Sequence, residues 1–78
     1  MSIALAEQYE DNGEYEKALE EYKKSYESNS KDLSILERLG SLSVMLDKKD
    51  DAELYYNKML ELDATNVMAY EQLMDIYV

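Results

Sequence analysis

The chain has 78 residues, a formal charge of −10, and no histidine, cysteine or tryptophan. That length gives one domain, which buries only roughly 60% of its unfolded surface. The missing residue types exclude disulfides, thiolate chemistry and the usual zinc, haem and general-base ligands, and the charge argues against nucleic acid or an anionic membrane as partner.

Leu5, Ala6 and Tyr9 mark one face of a first helix, predicted to end at Asn12 because Gly13 can take the left-handed conformation that closes a helix. Tyr15, Ala18, Leu19, Tyr22 and Tyr26 follow at i, i+3, i+4, i+7, i+11, the apolar stripe of a second helix. On its outer face Glu20 and Lys24 are spaced as an i,i+4 ion pair. Ser28 to Asp32 reads as a polar linker. Leu36, Leu39, Gly40, Leu42 and Leu46 mark a third helix, with Ser34 and Glu37 spaced as a capping box. Asp47-Lys48-Lys49 is the next turn, and Asp50 with Glu53 forms a second box opening a fourth helix. That helix buries Ala52, Tyr55, Tyr56, Met59 and Leu60. After a break at Asp63 to Asn66, Val67, Tyr70, Leu73, Met74 and Tyr77 mark a fifth. No sustained period-two alternation occurs, so the expected class is all-α.

The elements repeat at an interval of 34 residues: Leu5, Leu39, Leu73; Ala18, Ala52; Tyr22, Tyr56; Lys24, Lys58; Glu27, Glu61. A fixed period of that size indicates stacked repeats, each unable to bury its apolar face alone. Helix crossings require a small side chain facing a large one. Ala6, Ala18, Gly40 and Ala52 are the small partners, and Tyr9, Tyr22 and Tyr56 the fillers.

The stretch Leu5-Ala6-x-x-Tyr9-x-x-x-Gly13-x-Tyr15-x-x-Ala18-x-x-x-Tyr22 resembles the tetratricopeptide repeat (TPR) family. A second copy carries Leu39-Gly40, Ala52-x-x-x-Tyr56 and Leu62-Asp63-Ala64-Thr65-Asn66, and a third only Tyr70-x-x-Leu73-x-x-x-Tyr77. The resemblance implies a right-handed stack of antiparallel helical hairpins with five helices: repeat 1 over about 1–32, repeat 2 over about 33–66, and a half repeat or capping helix over about 67–78. The pattern departs from the family where Ser30 and Ala64 replace proline, Asp47 replaces the turn glycine, Ser43 replaces a large aromatic and Met74 replaces a small residue.

Such repeats bind peptides or helices on the face lined by the first helix of each pair. Carried over by position, that groove presents Ile3, Glu7 and Glu10, then Glu37, Ser41, Val44 and Met45, then Met68, Glu71 and Asp75. One branch of the family clamps the C-terminal carboxylate of chaperones with lysine, arginine and asparagine. Here the matching places hold Ile3, Glu7, Ser41, Glu71 and Asp75, so that clamp is rejected. A basic or amphipathic protein segment is the expected partner. The alternative is a structural spacer or oligomerisation segment, packing end to end or as a weak homodimer through the C-terminal helix.

Nothing points to catalysis, a cofactor or a metal. The acidic run Asp47 to Asp51 is interrupted by two lysines and lacks the central glycine and distal glutamate of a calcium loop. Glu20-Glu21 and Asp50-Asp51 are neighbours in sequence that diverge on a helix surface, unlike an acid/base pair in a pocket. The eight tyrosines fall mostly at core spacing. Met1 to Ala6 is apolar, but no basic residue precedes it and Glu7 cuts it short of a signal peptide. The expected location is therefore the cytoplasm, unless the chain is excised from a longer protein.

Overall fold

Glycine at position 13 punctuates the chain as its backbone freedom requires. In the computed structural model, which describes residues 3–77, α1 (Ile3–Asp11) closes with Gly13 at φ +77°. The Glu14 N–H donates to the Tyr9 carbonyl at 2.8 Å and the Gly13 N–H to that of Glu10 at 3.0 Å, the two bonds of a Schellman ending. One period later, Lys48 donates to Ser43 at 2.7 Å and Asp47 to Val44 at 3.1 Å, with Asp47 at φ +59°. The expectation that a side chain stands at a left-handed position is met there. Asp is among the residues that tolerate it.

α2 (Tyr15–Ser28), α3 (Leu33–Met45), α4 (Lys49–Leu62) and α5 (Val67–Tyr77) complete five helices, with no strand among the described residues. The last two helix entries after a linker are capped alike. The Asp32 carboxylate accepts from the N–H groups of Ser34 (2.9 Å) and Ile35 (3.3 Å), and the Asn66 side chain accepts from Ala69 N–H at 3.0 Å. These caps correct the expected box at Ser34 and Glu37: Ser34 already lies in the first turn, where Asp32 has taken its N–H. The second expected box is also absent. α4 begins at Lys49, after an N-cap residue, Lys48, that makes no side-chain cap bond, because the Schellman turn delivers the chain directly into the helix. On α2, Lys24 pairs with Glu21 at 3.2 Å and Glu20 with Lys23 at 3.7 Å, so the ion pairs run i,i+3 rather than from Glu20 to Lys24.

Each helix packs on its chain neighbours: α1 on α2, α2 on α3, α3 on α4 and α4 on α5. At the α3–α4 crossing the ring of Tyr56 lies on the backbone of Gly40, so closely that a Cβ there would stand 2.6 Å from Cζ of the ring. Ala6, Ala18 and Ala52 are fully buried, as small crossing partners must be. Ser43, in place of an aromatic, is buried with its hydroxyl donating to the Leu39 carbonyl at 2.7 Å, which satisfies it.

Burial changes toward the ends of the molecule. Leu39 and Leu73 are buried, but Leu5 is 38% exposed, because no helix among the described residues precedes α1. On α5, Ala69 and Leu73 face the core, whereas Val67, Tyr70, Met74 and Tyr77 lie on an open face.

Ala52→Leu is expected to cost about 1–3 kcal/mol by overpacking, lowering the melting temperature by about 4–8 °C per kcal/mol; an unchanged melt would contradict the crossing. Gly40→Ala is expected to destabilise similarly. Combined with Tyr56→Leu, its loss should be smaller than the sum of the two single losses, since the ring that it strikes has gone. Additive losses in denaturant titrations would separate the two residues.

Candidate groove between the odd-numbered helices

The site begins with Tyr22, which α2 carries at a buried stripe position. Its ring is covered, and its hydroxyl emerges between α1 and α3 to donate to Glu10 Oε1 at 2.6 Å. Burial is the main force raising the Tyr22 phenol far above the usual tyrosine value, and the bond to Glu10 adds to it. The phenol thereby keeps its proton and points it at Glu10, which orients the carboxylate. The other oxygen of Glu10 lies 3.9 Å from a guanidinium nitrogen of Arg38, a long pair exposed on its arginine side and worth at most about 1 kcal/mol.

Around this hydroxyl, Ile3, Glu7, Tyr22, Ser34, Ile35 and Arg38 line a cleft of about 140 Å³. Its walls are apolar at Ile3 and Ile35 and charged at Glu7 and Arg38. One period later the geometry recurs in altered chemistry. The buried Tyr56 phenol is raised mainly by burial and further by the charge of Glu37, while the neighbouring Ser41 hydroxyl opposes the shift. Where Tyr22 meets Glu10, the equivalent position near Tyr56 is Val44.

Of the ten residues expected in the groove, the cleft gathers Ile3 and Glu7, and Glu10 adjoins it through Tyr22. Glu37 and Ser41 attend Tyr56. Val44 and Met45 are exposed near the end of α3; on α5, Met68 is half-buried and Glu71 and Asp75 are exposed. No single cavity unites all ten; they are spread along α1, α3 and α5.

Sequence reasoning missed Arg38 and the Tyr22 hydroxyl. Arg38, the chain's sole arginine, stands four residues after Ser34 on the same face of α3, a spacing that was legible. Its proximity to Glu10 was not, because it crosses from one hairpin to the next. None of the seven lysines lies on α1, α3 or α5; they occupy α2, α4 and the connections, so Arg38 is the one cation on the odd-numbered helices. Among the described residues no group of histidine, cysteine or acidic side chains is arranged to hold a metal ion, and no helix is long and apolar enough to cross a membrane. No protein-family model and no curated protein matches the chain.

The phenols of Tyr22, Tyr55 and Tyr56 are all raised, in each case chiefly by burial. Unfolded tyrosines release protons near pH ~10, where the folded chain still holds them. The unfolded state then binds fewer protons, so this stability is complete below pH ~10 and declines as pH rises beyond it. Tyr22→Phe is expected to flatten that alkaline decline and to cost about 1.5–3 kcal/mol near neutrality through the lost bond to Glu10. Urea titrations across the alkaline range measure both, and a decline as steep as the parent's would exclude Tyr22 as a contributor.

Proposed function

We propose that the chain is a divergent TPR-like stack of two helical hairpins and a fifth helix, serving as a non-catalytic protein-interaction module. The recurrence of local geometry at one period carries the stacking reading: matched Schellman turns at Gly13 and Asp47, matched caps at Asp32 and Asn66, and matched buried tyrosines at 22 and 56. A repeat whose turns, caps and fillers coincide builds successive hairpins with similar relative orientation.

The binding reading rests on one distribution of charge. The odd-numbered helices present Glu7, Glu10, Glu37, Glu71 and Asp75, with Arg38 as their one cation. Such a face attracts a basic or amphipathic segment by a long-range field that salt weakens. It repels a carboxylate-terminated chaperone tail and nucleic acid alike. Ile3, Val44, Met45 and Met68 supply apolar contacts among the charges. The cleft at Arg38 makes the first hairpin's share of the groove zwitterionic, so acidic character should dominate toward Glu37, Glu71 and Asp75.

Peptides of equal length, one basic and one acidic, titrated by fluorescence anisotropy at low and moderate salt, test this. The basic peptide is expected to bind more tightly, to weaken as salt rises, and to lose affinity to a Glu37→Lys/Glu71→Lys variant. Equal binding of both peptides, or binding indifferent to the charge reversals, would defeat the proposal. The second reading, a spacer or oligomerisation segment packing end to end, draws on the open apolar face of α5. It predicts a molar mass that rises with concentration and no salt-dependent peptide binding.

A further inference from the structure

Val67, Tyr70, Met74 and Tyr77 follow one another at i, i+3, i+7 and i+10, which places them on one face of α5. Each is between 49% and 68% exposed. The equivalent residues one period earlier are Leu33, Leu36, Gly40 and Ser43. Those are half-buried or buried, and the contact of Gly40 with Tyr56 identifies α4 as what lies over that face. The open face of α5 is thus the counterpart of a surface that elsewhere in this molecule seats a helix.

α4 extends the open face. The Tyr77 hydroxyl donates to Glu53 Oε1 at 2.6 Å, joining the two helices at this edge. Beside Glu53, Leu54 is 51% exposed, and Asp50, Glu53, Leu54 and Asn57 line a shallow depression. The seat differs from the one on α3 in two respects. Met74 fills the place where Gly40 admits a tyrosine ring, so an occupant must offer a small residue there. Glu53 stands where the equivalent residue of α2, Leu19, is fully buried. The apolar stripe is flanked by Glu71 and Asp75 on α5 and by Glu53 on α4, and α5 carries no cation.

We propose that this α4–α5 face docks an amphipathic helix of a partner protein whose apolar stripe is bordered by lysine or arginine. The stripe supplies burial for the partner's apolar residues, and the acidic borders select its charge. A second copy of the chain is the poorer occupant. An isologous pair would oppose Glu53, Glu71 and Asp75 to their own counterparts, between molecules that each carry a charge of −10. This docking face shares Glu71 and Asp75 with the groove on the odd-numbered helices, but its apolar stripe and Glu53 lie outside the groove, so Glu37→Lys tests the groove without touching it.

Three designed helical peptides test the proposal by fluorescence anisotropy: an apolar stripe with lysine borders, the same stripe with glutamate borders, and the first composition scrambled so that no stripe forms. The lysine-bordered helix is expected to bind most tightly. Val67→Ser/Met74→Ser, substitutions at exposed positions whose folding is checked by circular dichroism, should weaken it about tenfold. Glu37→Lys, in the groove, should leave it unchanged. Equal affinity for the glutamate-bordered or scrambled peptide, or indifference to the double substitution, would overturn the proposal. So would a dimer detected by molar mass over a concentration series and abolished by the same double substitution, which would assign the face to a second copy.

Discussion

A tyrosine ring resting on bare backbone sets the spacing of this molecule. Gly40 has no side chain to hold α4 away, so the end of the Tyr56 ring can come up against α3 and close the crossing. The cost is glycine in a helix interior, about 1 kcal/mol relative to alanine. Burial of an aromatic ring offsets that cost, at roughly 25 cal/mol per Å² of apolar surface removed from water. The same ring brings its hydroxyl beside Ser41 and Glu37, so one packing event also places polar groups along α3. Tyr22 does the equivalent for Glu10, with a direct bond of 2.6 Å. Scaffold and candidate site therefore share their central residues.

That sharing limits how the groove can vary. Glu10 is fixed by a buried donor, and replacing it would leave the Tyr22 hydroxyl seeking another acceptor. Glu37, Glu71 and Asp75 are exposed and can change with little effect on packing. The first hairpin's part of the face is thus tied to the core, and the later parts are adjustable. Arg38 sits at the boundary, on the helix shared by both gaps.

Much of the helical order was legible because packing positions recur. Leu39, Ala52 and Tyr56 each had a counterpart to be read against. The caps were misread for a physical reason: Ser34 and Glu37 match a capping-box spacing, but a carboxylate two residues earlier reached the N–H groups first. Periodicity also identified an apolar face on α5 without revealing whether anything covers it, since apolar spacing is the same for a buried and an open stripe. The approach of Arg38 to Glu10 and the bond from Tyr22 span different helices. No local pattern encodes them.

The close backbone packing of each helix against its chain neighbours has a kinetic side. Contacts that close short loops ask little entropy of the chain before they are made, so folding should be fast for its size. Opening should begin at α1 and α5, whose backbones each pack closely on a single helix. Amide exchange would then grade from the ends inward, with the slowest protons on α3 near Gly40, and the molecule would loosen in steps rather than all at once.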